Sequence, residues 1–233
     1  MYSLTVVIPF YNEEAFLKKS FDRLYSSGVA DLIFLVDDSS TDNSSNIAKE
    51  IANSYSNVYY FSNKSNKGKG SALISIKEDI KTSHLVIHDA DLEYDPNDLI
   101  GLKRISFENK NSLILGSRFK GTLDRNNLYK STYLANRVLS FIFSIINFYK
   151  ITDIATCYKM FPATFFKNTK FKENGFSIEV EILAKFLKYN KSIFELPIHY
   201  SGRSYSQGKK IHIKDGFYYI FNIFKYRFLA FWS

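Results

Sequence analysis

Asp89, Asp91 and Glu93 stand at every second position just after the apolar run Leu85-Val86-Ile87. In extended backbone, side chains at i, i+2 and i+4 share one face. Three carboxylates on one face repel unless a cation sits among them. Oxygen-only donors suit a hard divalent ion, Mg2+ or Mn2+. The alternative is an ordinary strand end running into the polar turn Asp95-Pro96-Asn97. A second candidate is the glycine-rich stretch Asn66-Lys67-Gly68-Lys69-Gly70-Ser71-Ala72. It lacks the spacing of a P-loop and of a Gly-x-Gly-x-x-Gly fingerprint. It reads either as a phosphate-facing loop or as a softened helix start.

These groups need elements to position them. Residues 4–9 are a short β-branched run, read as a central strand, and Pro9 ends it because it cannot donate to a ladder. Asn12 reads as the N-cap of a helix, with Glu13 and Glu14 at its positive end. Phe16, Leu17, Phe21 and Leu24 carry that helix to a stop at Gly28. Strands are expected at 31–36, 58–61 and 85–87, the last buried on both faces. Helices are expected at 44–55 and from the glycine-rich stretch to about residue 80. The first hundred residues thus alternate β-α-β-α-β-α-β. That is an α/β class with a mostly parallel sheet, and such sheets bind ligands outside the carboxyl ends of their strands.

Further on, a helix is expected at 96–109 and a strand at 112–115, leading into Gly116-Ser117-Arg118. A long helix follows at 126–149, with 139–146 apolar on most faces. Residues 153–161 read as loop then strand. A helix at 176–187 carries Glu179 and Glu181, either on a solvated face or as functional groups. Residues 192–200 are extended, 201–210 form a polar loop, and 215–232 form an aromatic closing helix. No repeat or linker divides the chain. One domain over 1–233 is expected, with a nucleotide-sugar-binding half at 1–115 and an acceptor-binding half at 116–233.

Charge divides the chain in the same way. Residues 1–100 carry 9 Lys and Arg against 15 Asp and Glu, whereas residues 101–233 carry 22 against 8. A basic half calls for an anionic partner: nucleic acid, a phosphorylated substrate or anionic lipid. The alternative is a lysine-rich bias that only decorates the surface. Cys157 is the only cysteine, so no intramolecular disulfide can form, which fits a reducing compartment. Met1 leads straight into an apolar strand without the pattern of a secretory signal. Residues 139–149 are too short to span a bilayer, and 217–232 are interrupted by Lys225 and Arg227. The expected location is the cytoplasm, with peripheral contact at the cytoplasmic membrane face.

In order along the chain, six motifs resemble family 2 glycosyltransferases of the GT-A fold. They are Val7-Ile8-Pro9-Phe10-Tyr11-Asn12-Glu13, Val36-Asp37-Asp38-Ser39-Ser40-Thr41-Asp42, Asn66-Lys67-Gly68-Lys69-Gly70, Asp89-Ala90-Asp91, Gly116-Ser117-Arg118, and Gly202-Arg203 with Gly208-Lys209-Lys210-Ile211. The stretches 153–161 and 178–185 look like the polyprenyl-phosphate sugar transferases of the dolichol-phosphate mannosyltransferase type. The resemblance implies a Rossmann-like sheet flanked by helices, with a closing amphipathic segment. It implies an inverting transfer of a sugar from a UDP- or GDP-sugar to a polyprenyl phosphate, dependent on Mg2+ or Mn2+. A saccharide acceptor in surface glycan assembly is the alternative.

The resemblance also assigns positions. Pro9, Tyr11, Glu13, Val36 and Asp38 would line the base and ribose. Asp89, Ala90 and Asp91 would meet the diphosphate, with the metal on Asp89 and Asp91. Glu93 stands where relatives often have Gln, and would be a third ligand or displace a sugar contact. Lys69, Arg118, Arg203 and either Lys209 or Lys210 would face phosphates. Relatives commonly have Gly where this chain has Ser39. Asp91 would also serve catalysis. A phosphate acceptor is already anionic, whereas a sugar hydroxyl requires a carboxylate base, for which Asp153 and Glu181 are the candidates. The aromatic segments 139–149 and 217–232 would lie at a membrane interface or bury a homodimer contact. A nucleotidyltransferase would place its glycine-rich loop where Pro9 to Glu13 stand. No nucleic-acid recognition module is present.

Overall fold

The computed structural model describes residues 2–121, 123, 125–126, 130–203 and 213–229. Strand β1 (Leu4–Phe10) is buried at every position, as a β-branched run with no polar alternation must be. It pairs in parallel with β2 (Leu32–Asp37) and β4 (His84–Ile87), and β2 pairs in parallel with β3 (Val58–Ser62). Between these strands run α1 (Leu17–Ser26), α2 (Ser44–Ser54) and α3 (Lys69–Ser75). Then follow α4 (Asp98–Glu108), β5 (Leu113–Ser117), the short β6 (Arg125–Asn126), α5 (Lys130–Asn147) and β7 (Lys159–Pro162). The chain continues with α6 (Ala163–Asn168), α7 (Ile178–Tyr189), β8 (Ile193–Pro197), β9 (Tyr200–Ser201) and α8 (Ile213–Phe224), which runs into a π-helical turn at Lys225–Leu229.

The main sheet has the order β3-β2-β1-β4-β7-β5-β8. β7 is antiparallel to both neighbours, and β8 is parallel to β5. β7, from the second half of the chain, is therefore inserted between strands of the first, and both halves share one sheet. Alternation splits the apolar side chains onto two faces. Val7, Phe34, Leu85 and Ile87 pack with α3, α5, α6, α7 and α8, while Val6, Ile8, Ile33 and Val86 pack with α1, α2 and α4.

The expected strands of the first half are present, within a residue or two at each end. Three expectations are corrected. Asn12 is not a helix cap. It has φ 51°, and its Oδ1 accepts from the Thr41 N–H at 2.8 Å, so it ties the β1 end to the β2 turn and α1 starts only at Leu17. α3 stops at Ser75, well short of residue 80. α6, hidden in sequence by the aromatic run after Pro162, was not expected. Ser39, where the resemblance expects Gly, has φ 67°, a left-handed backbone that glycine adopts at less cost.

The glycine-rich stretch is shaped by a neighbour in its own chain. Gly68 has φ 102°, and a Cβ there would meet the Asn174 carbonyl oxygen at 2.7 Å. A Cβ at Gly70 would lie 2.0 Å from the Glu173 carbonyl oxygen. The Ser71 N–H donates to Asn174 O at 3.0 Å, so the segment just before α7 sits directly on the start of α3. Gly70→Ala must push that backbone away and should lower stability by about 1–3 kcal/mol. Gly175→Ala has open space and should be near neutral. Urea denaturation of the two variants checks the contrast.

Candidate active site

Because β1, β2 and β4 run parallel, their carboxyl ends open on one edge, where the polar motifs collect. The acidic stretch leaves β4 as a turn, since Leu92 adopts φ 63° and breaks the alternation of extended backbone. The expectation of three carboxylates on one face is corrected. Among the described residues no three His, Cys, Asp or Glu side chains form a ligand set for an ion. Glu93 is engaged by other groups, accepting from Tyr200 OH at 2.6 Å and from the Arg203 backbone N–H at 2.7 Å. Asp91 Oδ2 lies 3.4 Å from Arg203 Nη2, and Arg203 Nη1 donates to Glu13 Oε2 at 3.1 Å. Arg203 thus bridges the β1 end and the acidic stretch, stacked over Phe16 at 5.2 Å. Its buried Nε–H finds no acceptor among the described residues.

Asp89 belongs to a second cluster. Lys69 Nζ, on the first turn of α3, stands 2.7 Å from Asp89 Oδ1 and 2.7 Å from Glu179 Oε1. Glu179 Oε2 accepts from Lys159 Nζ at 2.7 Å, and Lys159, fully buried on β7, also donates to the Ile154 and Thr156 carbonyls. Burial opposes the Lys69 charge, but Asp89 and Glu179 raise its pKa well above the ordinary range. Burial likewise opposes the Asp89 charge, but Lys69 holds its carboxyl below the usual range. Asp91 goes the other way: burial first, then Glu93 and Asp89, push it well up, and Arg203 only partly offsets them.

A third pair lies behind these. Asp153 is fully buried and takes Arg118 through three contacts: the backbone N–H at 3.0 Å, Nε at 2.8 Å and Nη2 at 2.8 Å. The Tyr200 ring covers the Arg118 guanidinium at 5.1 Å, and its hydroxyl reaches Glu93, so the third pair touches the first cluster. Glu181 points elsewhere. It is fully buried and accepts from the Lys172 and Glu173 N–H groups, with Lys185 at 2.8 Å. Asp38 accepts from Asn63 Nδ2 and from the Lys67 and Gly68 N–H groups, which folds the glycine-rich stretch against β2. Pro9, Val36 and Ala90 are buried in or beside the sheet, and Tyr11 is half-buried at its edge. Lys209 and Lys210 lie outside the described residues.

The sequence reading named Glu179 without assigning it a role, and it missed Lys159 and Tyr200. Glu179 and Glu181 are both buried, so neither belongs to a solvated face. The signal was there: α7 is apolar on all sides, and a lysine sits in the apolar run Cys157-Tyr158-Lys159-Met160-Phe161. A cation and a carboxylate each placed in apolar surroundings imply a buried pair. His88 is not part of the chemistry. Burial lowers it to about 4, so it is neutral at pH 7 and bonds to Ser20 and Tyr158 inside the core.

Among the described residues, the first two clusters together hold five carboxylates, Glu13, Asp89, Asp91, Glu93 and Glu179, against three cations, Lys69, Lys159 and Arg203. With all of them ionised, these described residues are short of two positive charges. The raised Asp91 carboxyl is the local expression of that deficit. A divalent cation fits the deficit and the all-oxygen donor set of Asp89 and Asp91.

Comparison with known proteins supports the same reading of the fold. The family model described as glycosyl transferase family 2 matches residues 5–169. The chain is 27% identical to the UDP-N-acetylglucosamine–dolichyl-phosphate N-acetylglucosaminyltransferase of Methanococcus voltae, over 91% of each chain. It is 26% identical to the dolichol-phosphate mannosyltransferase of Pyrococcus furiosus, over 89% of this chain and 60% of that one. Among solved structures it is similar to glucosyl-3-phosphoglycerate synthase from Mycobacterium tuberculosis in complex with Mn2+, UDP and glucosyl-3-phosphoglycerate. There the TM-score is 0.72 at 15% identity, covering 97% of this chain and 80% of that one. It is also similar to S. aureus TarS with UDP-GlcNAc, with a TM-score of 0.61 at 15% identity, covering 96% and 66%. The mostly parallel seven-stranded sheet flanked by helices is the GT-A arrangement.

The Arg118–Asp153 pair gives a stability test. Asp153→Leu strands a buried guanidinium and should cost about 3–5 kcal/mol, whereas Arg118→Leu with Asp153→Leu removes both charges and should recover most of that loss. Chemical denaturation of the single and double variants measures the difference.

Proposed function

The chain belongs to glycosyl transferase family 2, and from that premise we propose that it moves a sugar from a nucleotide-diphosphate sugar to a polyprenyl phosphate. We assign the reaction inversion at the anomeric carbon and dependence on Mg2+ or Mn2+. The observation that carries the proposal is the edge of five carboxylates facing three cations, placed where a parallel sheet binds its ligand. The names of two relatives, which transfer sugars to dolichyl phosphate, support the acceptor class.

The bond from the anomeric carbon to the diphosphate oxygen breaks, and the nucleoside diphosphate leaves with the electron pair. Asp89 and Asp91 would hold the divalent ion, which supplies positive charge to the diphosphate as negative charge builds there. Lys69 and Arg203 already lie against those carboxylates and are the cations placed to meet phosphate oxygens. The unmatched Arg203 Nε–H is a donor in position for one. One of Lys209 and Lys210, which follow Arg203 in sequence, is assigned to phosphate as well. Asp38 and Glu13 shape the base and ribose side: Asp38 by folding residues 63–68 against β2, Glu13 by holding Arg203.

The acceptor phosphate is an anion at pH 7, so its oxygen attacks without a strong base. Asp153 and Glu181 then act as positioning groups. Asp153 fixes Arg118, and Glu181 fixes the 172–173 backbone that seats the start of α3. Residues 1–115 would carry the donor and 116–233 the acceptor, at the cytoplasmic face of a membrane.

The test is transfer of labelled sugar from a panel of UDP- and GDP-sugars to polyprenyl phosphate, with soluble saccharides as the competing acceptors. The expected product is organic-extractable label that EDTA abolishes. Label appearing only in saccharide would replace the acceptor. Asp91→Asn should cut transfer at least about 100-fold. The same change should leave the metal-free fold at equal or higher melting temperature, because the Asp91 charge is held there against burial and two like charges. An Asp91→Asn protein that melts lower and still turns over would contradict the assignment.

A further inference from the structure

Lys69 stands between two carboxylates. Its ammonium is 2.7 Å from Asp89 Oδ1 on one side and 2.7 Å from Glu179 Oε1 on the other. The two differ in what can reach them. The Asp89 side chain is 25% exposed, whereas that of Glu179 is 2% exposed and Lys159 behind it is fully buried. Asp89 is therefore open to an incoming ion, and Glu179 is closed to it. Glu179 Oε1 also accepts no aligned hydrogen bond from any described residue, although it lies in ion contact with Lys69. An ammonium has three donors, so this oxygen is an acceptor held in reserve for it.

The surrounding backbone leaves the lysine side chain as the part that moves. Lys69 lies between Gly68 and Gly70, and both glycines sit directly against the 173–174 backbone. Glu181 fastens the N–H groups of residues 172 and 173, and Glu179 stands beside it on the first turn of α7. The start of α3 and Glu179 thus belong to one packed unit. Lys159 holds Glu179 Oε2 at 2.7 Å and is itself fixed by the Ile154 and Thr156 carbonyls. The lysine stem is flexible. A shift of its ammonium between two oxygens that it already touches requires no movement of either helix.

A divalent ion and an ammonium on the same carboxylate repel each other. We propose that Lys69 is a built-in competitor for the ion at Asp89, and that Glu179, secured by Lys159, is the positioning residue that draws Lys69 aside. In the ion-free chain, Lys69 supplies part of the positive charge that the acidic edge calls for. When an ion takes Asp89, Lys69 gives up that contact and keeps Glu179. It stays beside the ion, and the N–H that Asp89 releases is free for a phosphate oxygen. The inference rests on the reading that Asp89 holds the ion, and it deepens that reading by making ion binding an exchange of partners within the chain.

The experiment is Mn2+ titration of the full chain, read by the electron paramagnetic resonance of free Mn2+, with no nucleotide or acceptor present. Lys69→Met should tighten Mn2+ binding about tenfold, and Glu179→Gln should weaken it about tenfold. A bare change of net charge gives shifts of the same sign, so the double variant decides. With Lys69→Met in place, Glu179→Gln should alter the Mn2+ affinity by less than about twofold. Equal weakening by Glu179→Gln with and without Lys69 would overturn the proposal. So would a Mn2+ affinity that Lys69→Met leaves unchanged or lowers. Should Glu179→Gln fail to fold, Glu179→Asp carries the same test, because it keeps the charge and withdraws the carboxylate by one methylene. It should weaken Mn2+ binding only when Lys69 is present, and weakening without Lys69 would count against the proposal in the same way. Asp89→Asn separates this inference from the reading beneath it. Mn2+ binding that survives Asp89→Asn would overturn the ion site and the competitor together. Binding that is lost in Asp89→Asn but indifferent to Lys69 would leave the ion site standing and overturn the competitor alone.

Discussion

The physical constraint behind this structure is the gathering, among the described residues, of more carboxylates than cations at one edge of a sheet. Parallel strands have no choice about where their ends lie, and β1 and β4 each deliver acids to the same edge. Buried like charges are costly in a low dielectric. The chain meets part of that cost with cations from far away in sequence: Lys69 from α3, Lys159 from β7, and Arg203 from the loop after β9. Each of the last two is held by a second-half segment, so the acidic half folds against the basic half. The charge asymmetry along the chain is in this sense a folding device as well as a binding one.

The architecture serves that edge. β7, inserted antiparallel between β4 and β5, carries Lys159 beneath the acidic stretch. α7 brings Glu179 and Glu181 to opposite tasks: the first completes the Lys69–Lys159 chain of charges, and the second grips the 172–173 backbone. That backbone leaves no room for side chains at Gly68 and Gly70, so the glycines of the motif answer to packing. The incompletely neutralised edge is what a divalent ion would complete, and the ion would in turn hold a diphosphate.

Much of this was legible in the sequence. β-branched runs ending in polar motifs gave the first four strands and the edge, and the motif order gave the family. Asp89, Asp91, Lys69 and Arg203 were read to one site, and the fold pairs Lys69 with Asp89 and Arg203 with Asp91. What was not legible depends on contacts between distant segments. Alternation implied three acids on one face, and a single left-handed residue, Leu92, sends Glu93 to Tyr200 and Arg203 instead. Asn12 looks like a helix cap by type, yet its partner is Thr41, on another loop. Glu179 could not be placed without knowing that Lys159 lies across from it. β7's antiparallel insertion has no local signature at all.

The central claim is that the described edge lacks positive charge that a divalent ion would supply, and that the ion and a nucleoside diphosphate would bind there together. The direct measurement is thermal melting of the unmodified chain with EDTA, with Mn2+, with a nucleoside diphosphate, and with both. The account predicts small shifts for either alone and a shift for the pair well beyond their sum, because each completes the charge balance the other needs. Equal stabilisation by the diphosphate in EDTA and in Mn2+ would contradict it.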